Sequence, residues 1–236
     1  MVKNHLSRLD SPNSWSIRKK GIKFVKRPTT GPHSLGTGIT LSLVLKSLLG
    51  VASSNKEVKK ILYEGKVLVN NKIRKDPAFT VGIMDIIGVP VKKENYRLIL
   101  DKKGKFTLVS IDEKDADKRL VKIVDKTIIK KGIVQLNNFD GGNILVDKDE
   151  YKTGDSLVIS IKEDSIVDHL KYGKGATVYL MAGNKVGRVG TLEDIKDENR
   201  IQEIHDVTIF INLFFTSQTP HKQTVCCNHH EPQRFS

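Results

Sequence analysis

The chain has 236 residues, in which 40 Lys and Arg outnumber 27 Asp and Glu for a formal net charge of +13. A balance this basic makes a polyanion, a nucleic acid or an anionic membrane surface, the default partner, and the length suffices for two or three small domains with cores of their own. No apolar run approaches the roughly 18 residues that a spanning helix needs, and the basic, polar N-terminus has no apolar segment of the secretory-signal kind. The adjacent pair Cys226-Cys227 argues against a disulfide framework and fits a reducing cytoplasm.

Residues 1–39 read as a basic arm. Its first 28 residues hold eight Lys or Arg against one carboxylate, Asp10, and Pro12, Gly21 and Pro28 interrupt it. So few apolar residues cannot build a core, which predicts an extended segment. Lys3, Arg8, Arg18, Lys19, Lys20, Lys23, Lys26 and Arg27 are placed to neutralise phosphates, with an affinity that falls steeply as salt rises. Trp15 is the single tryptophan. Two uses are open to it: stacking on an unpaired base, or filling a small hydrophobic notch. His33 and His5 are within reach of a phosphate role, although a lone histidine is more often a hydrogen-bonded bystander.

Residues 40–110 carry the strongest local signals. Leu41, Val44, Leu45, Leu48 and Leu49 repeat at the spacing of one buried helical stripe. Ser54 and Glu57 form a capping-box pair that starts a second helix with Val58, Ile61 and Leu62 on its apolar face, and Gly65 ends it. Lys56 and Lys60 fall on the opposite face, with Lys59 on the flank. The segment Lys66-Val67-Leu68-Val69-Asn70-Asn71-Lys72-Ile73-Arg74 then predicts a tight hairpin turning at Asn-Asn. Lys56, Lys59, Lys60, Lys66, Lys72, Arg74 and Lys75 are thereby concentrated on one unit. This order of elements resembles the small RNA-binding module found in a bacterial small-subunit ribosomal protein, some pseudouridine synthases and a heat-shock protein. Two further strands around Gly104 put Lys102, Lys103 and Lys105 at an exposed tip.

Residues 111–172 predict a central antiparallel β-barrel. After a charged connector at 112–117, short strands at 121–124, 132–136, 143–146 and 156–161 are separated by turn signals at 137–142 and 153–155. Asp140-Gly141-Gly142 is explained by a hairpin turn. In residues 173–215 a strand runs into the glycine-rich stretch Ala182-Gly183-Asn184-Lys185-Val186-Gly187-Arg188 and a strand returns after it. The glycines permit close approach to another polymer while Lys185 and Arg188 supply charge. This resembles the KOW motif, in which a five-stranded, SH3-like barrel presents the loop to RNA or protein. Residues 207–215 offer one closing strand, and residues 216–236 read as a disordered tail. Its Cys226, Cys227, His229 and His230 do not make the Cys-x2-Cys spacing of a structural zinc site.

Taken together, His5-Leu6-Ser7-Arg8-Leu9, Pro12, Trp15, Arg27-Pro28 and Gly31-Pro32-His33 match in order the opening of the archaeal and eukaryotic small-subunit ribosomal protein four family. The match continues through Leu43, Leu45, the 55–62 helix, the 69–76 hairpin and Gly82-Ile83-Met84-Asp85-Ile86-Ile87, looks closer to the archaeal branch, and lapses beyond about residue 206. The resemblance implies an α+β multidomain protein, a structural constituent of the small ribosomal subunit, cytoplasmic, with small-subunit rRNA and neighbouring ribosomal proteins as partners. It implies no membrane, small-molecule substrate, cofactor or metal, and no catalysis. The sequence likewise contains no nucleophile elbow, metalloprotease motif or dinucleotide fingerprint. The rival readings are a KOW-containing transcription elongation factor, which would lack the basic arm and helix pair, and a stand-alone RNA-binding stress protein.

Overall fold

A computed structural model describes residues 5–147, 149–183, 185–192 and 208–210. The Cys/His tail and Lys3 lie outside the described residues. The architecture is mostly β, with two short helical segments near the start.

The arm is not a free extended segment. Strands β1 (Leu6–Ser7) and β2 (Phe24–Val25) pair antiparallel with Leu6 opposite Val25, and both of those side chains are buried together with Trp15. The expectation failed because it asked whether the arm could build its own core. It borrows one instead, joining the cluster that contains Ile39, Leu41, Val44 and Val58.

Strand β3 (Gly38–Thr40) pairs with β6 (Thr80–Gly82) and leads into helix α1 (Leu41–Leu43). The predicted stripe continues as a wider π turn over Val44–Leu48, closed by the Leu49 N–H donating to the Val44 carbonyl at 2.9 Å. Leu41, Val44 and Leu45 are buried, while Leu48 and Leu49 lie at the margin of the core. Helix α2 (Asn55–Tyr63) begins with the predicted capping box: the Ser54 hydroxyl accepts from the Glu57 N–H and the Glu57 carboxylate accepts from the Ser54 N–H. Val58 and Leu62 fix the helix to the core. Full burial of side chains of this size contributes about 1.5–3 kcal/mol each.

The hairpin β4 (Leu68–Val69) and β5 (Lys72–Ile73) turns through Asn70 and Asn71, both with positive φ (48° and 57°), the primed turn that matches strand twist. With β7 (Ile86–Val89), β8 (Glu94–Leu100) and β9 (Phe106–Ile111) it makes a five-stranded sheet of order β5-β4-β7-β8-β9.

The central strands β10 (Lys118–Ile128), β11 (Val134–Asn138), β12 (Asn143–Val146), β13 (Ser156–Ser160) and β14 (Ile166–Leu170) are antiparallel in the order β12-β11-β10-β13-β14. The first part of β10 pairs with β13. From Ile123 onward it pairs with β11, with a register shift between Ile123 and Asp125, so one bent strand serves both halves of the unit. Val121, Ile123, Val134, Leu136, Leu157 and Ile159 fill a small separate core there. Strands β15 (Thr177–Leu180), β16 (Val189–Thr191) and β17 (Thr208–Phe210) complete the described residues, with β15 in the middle.

Buried polar contacts fasten these parts together. Leu100 extends past the last residue that pairs β8 with β7, so its backbone groups on that side need other partners. Tyr179 supplies both: its hydroxyl accepts from the Leu100 N–H at 2.7 Å and donates to the Leu100 carbonyl at 2.9 Å. Burial pushes this phenol well above its ordinary pKa, so it stays a neutral donor. Tyr179→Phe leaves two buried backbone groups without this partner and is expected to cost about 1–3 kcal/mol. Urea denaturation checks this by a lowered midpoint at unchanged slope. Arg97 acts similarly toward the connector, donating from Nη2 to the carbonyls of Lys118 (2.8 Å) and Asp115 (3.2 Å).

Candidate nucleic-acid interface

Within the arm, Arg18, Lys20, Lys23, Lys26 and Arg27 are exposed, whereas Arg8 and Lys19 are turned partly inward. Arg8 donates from Nε to the Ile22 carbonyl (2.8 Å) and from Nη1 to the Arg18 carbonyl (2.9 Å), and Lys19 donates to the Ser11 carbonyl (2.5 Å). These two cations brace the arm's backbone.

Two candidates from the sequence are corrected. Trp15 does not offer its ring to a base: it is 1% exposed and its indole N–H donates to the Gly38 carbonyl at 2.9 Å. The notch is the right alternative. His33 does not face a phosphate either. Its ring is buried, with Nε2 2.9 Å from Asp85 Oδ2, and it packs on Gly82 so closely that a Cβ there would lie 2.2 Å from ring atoms. Asp85 also accepts from Asn70 Nδ2 and the Gly82 N–H, both at 2.8 Å, while Asn70 Oδ1 accepts from the Ile86 N–H at 2.9 Å. Burial alone would push the Asp85 carboxyl up. The His33 hydrogen bond and charge, with the Asn70 and Gly82 donors, outweigh it and hold the carboxyl below its ordinary value.

On the helix and hairpin, Lys56, Lys59, Lys60, Lys66, Lys72 and Lys75 are exposed as the sequence predicts. Lys66 lies 2.5 Å from Glu64. Arg74 is half-buried with its guanidinium 4.4 Å from the Phe79 ring centroid, an orientation that stiffens it. Lys56, Lys59, Lys72 and Lys75 form no ion pair among the described residues.

Lys46 is a residue that the sequence reading missed. Its ammonium donates to Asn55 Oδ1 at 2.7 Å, and desolvation, then the Arg8 charge, lower its pKa. One signal was there to be read: residues 11–56 contain no Asp or Glu at all.

The exposed tip Lys102-Lys103 and the loop bearing Lys185 and Arg188 come together. A Cβ on Gly187, at φ +74°, would lie 2.3 Å from the Asp101 carbonyl, and one on Gly104 would lie 3.1 Å from Val186. The polymer that this glycine approaches is the protein's own β8–β9 turn. Cations of the central unit are different again. Arg119 pairs with Asp140 (2.7 Å), Lys126 with Asp149 (2.5 Å) and Lys162 with Asp117 (3.8 Å). Asp140 and its glycines make a turn closed by the Asn138 N–H on the Gly142 carbonyl at 3.0 Å. Among the described residues no three His, Cys, Asp or Glu side chains are grouped to hold a metal, and no helix is long and apolar enough to cross a membrane.

Comparison with known proteins finds three family models along the chain. Residues 2–36 match the RS4NT domain, 41–87 the S4 domain and 92–166 the ribosomal family S4e. The small ribosomal subunit protein eS4 of Methanococcus aeolicus is 40% identical over 210 residues, covering 86% of this chain and 85% of that one. The chain belongs to the S4e family. The S4e relative from Methanocella arvoryzae is 42% identical over 196 residues, 83% of this chain and 82% of the other. A crystal structure of 30S ribosomal protein S4e from Thermoplasma acidophilum superposes with a TM-score of 0.65 at 28% identity, covering 74% of this chain and 95% of that one. S4e proteins are structural and not enzymes, which answers the question of catalysis for this chain.

Proposed function

We propose that this S4e protein is a structural constituent of the small ribosomal subunit, resident on cytoplasmic ribosomes, that binds small-subunit rRNA and contacts neighbouring ribosomal proteins. The observation that carries the reading is the distribution of uncompensated charge. Cations of the arm stand exposed along residues 11–56, which hold no carboxylate, and those of α2 and the hairpin stand exposed with Lys66 alone ion-paired among the described residues, while Arg119, Lys126 and Lys162 of the central unit are paired internally. Repulsion among such cations is relieved by a polyphosphate backbone. The proposed units are the arm (1–39), the helix-and-hairpin module (40–110), the central barrel (111–172), a KOW-type unit (173–215) and a tail (216–236). In the KOW-type unit Lys185 and Arg188 join Lys102 and Lys103 as a second RNA or protein contact, supported by the packing of Gly187 on Asp101.

Charge reversal at both Lys59 and Lys60 tests this. Affinity for transcribed small-subunit rRNA is expected to fall, and the slope of log affinity against log salt to become shallower by about one per lost phosphate contact. Filter binding from low to high salt measures both, and an unchanged affinity and slope would remove α2 from the interface.

A further inference from the structure

With Trp15 in the core, the aromatic residue that the arm turns outward is Phe24. The reason is register. In the β1–β2 ribbon Leu6 and Val25 face each other and are buried, so their neighbours Ser7 and Phe24 project to the other side. Phe24 is 48% exposed and Ile22 is 76% exposed. His5 meets the Phe24 ring at a centroid distance of 5.2 Å and the Lys23 ammonium lies 5.4 Å from its centroid. The platform is held rigid from behind: the Arg8 N–H donates to the Lys23 carbonyl at 2.9 Å while the Arg8 guanidinium ties the Ile22 and Arg18 carbonyls.

We propose that Phe24, flanked by His5 and Ile22, is a stacking platform for an unpaired base of the bound RNA. This rests on the rRNA-binding reading above and names a contact within it. A protein side chain would be satisfied by the apolar surface alone. Lys23 at the ring and the exposed Arg18, Lys20 and Lys26 of the same arm, with Asp10 as the one carboxylate in the first 56 residues, select a ligand that combines a flat π-face with phosphate. A single-stranded nucleotide is that ligand. A preformed ring on a braced ribbon binds it without first having to be ordered.

Full-length Phe24→Leu and Phe24→Tyr, each checked for a wild-type melting curve, are titrated with transcribed small-subunit rRNA by filter binding across salt. Phe24→Leu is expected to bind roughly 5- to 150-fold more weakly at every salt, the range of a lost base–aromatic stack, with an unchanged salt slope because no phosphate contact is removed. Phe24→Tyr keeps the π-face and is expected to stay within about twofold of wild type. Wild-type affinity in Phe24→Leu overturns the proposal, as does a loss that appears only as a changed slope. If Phe24→Leu binds rRNA normally yet fails to sediment with the small subunit, the platform docks a protein and the base-stacking assignment is wrong. If the wild-type chain itself shows no salt-dependent rRNA binding, the functional reading falls and takes the platform with it.

Discussion

Trp15→Ala is expected to destabilise the protein by about 3–5 kcal/mol, the range for deleting a large buried aromatic. The indole is among the largest fully buried side chains, and its N–H holds the Gly38 carbonyl just where the arm joins β3. The loss therefore strikes the contact that lets a segment without a core of its own fold at all. Trp15→Phe keeps most of the apolar burial and leaves the Gly38 carbonyl without its donor, so its cost is expected nearer 1–3 kcal/mol. Urea denaturation of the three proteins checks the order. The tryptophan fluorescence of the wild type should also be blue-shifted and insensitive to added rRNA; quenching by RNA would return the ring to the interface.

The second large effect is expected at Asp85. Asp85→Ala strands His33 Nε2, Asn70 Nδ2 and the Gly82 N–H in a buried site, and removing one partner of such a network costs roughly 3–5 kcal/mol. The same network predicts a pH dependence. The folded carboxyl titrates below its ordinary value of 3.8. Its contribution to stability is therefore complete above that value and is lost as pH falls through the depressed folded value. In Asp85→Asn this acid-side loss is expected to be smaller, which denaturation midpoints measured between neutrality and the acid limb will register. Parallel curves for wild type and Asp85→Asn would show that the carboxylate has no such role.

What could be read in the sequence followed the range of the interactions involved. The capping box at Ser54 and Glu57, helix α2 and the Asn70-Asn71 turn are local, each specified by residues within a few positions, and each forms as its chemistry dictates. Trp15 was left open between base and notch, and His33 was misplaced, because their partners, Gly38 and Asp85, lie 23 and 52 residues further on. Nothing in the neighbouring residues announces such a contact. Phe24 was overlooked since a two-residue strand is too short to display an alternation. Strand β14 buries only Leu170 fully, with Ile166 and His169 half-buried and Val167 and Asp168 exposed, so it carried little apolar pattern, and β10 outran its prediction because its two ends have different partners. Gly187 announced a close backbone approach, and only the fold revealed that the approaching backbone is that of Asp101 and Lys102.

Exposed cations gathered on the arm and the helix-and-hairpin module, placed to meet RNA phosphate, are the physical claim on which this account of the protein turns. Sedimenting a native lysate through sucrose gradients of increasing salt tests it most directly. The account predicts that the protein travels with the small subunit at low salt and is released progressively as salt rises, sooner when Lys59 and Lys60 are reversed. A protein that stays at the top of the low-salt gradient while intact small subunits sediment below it would contradict the account.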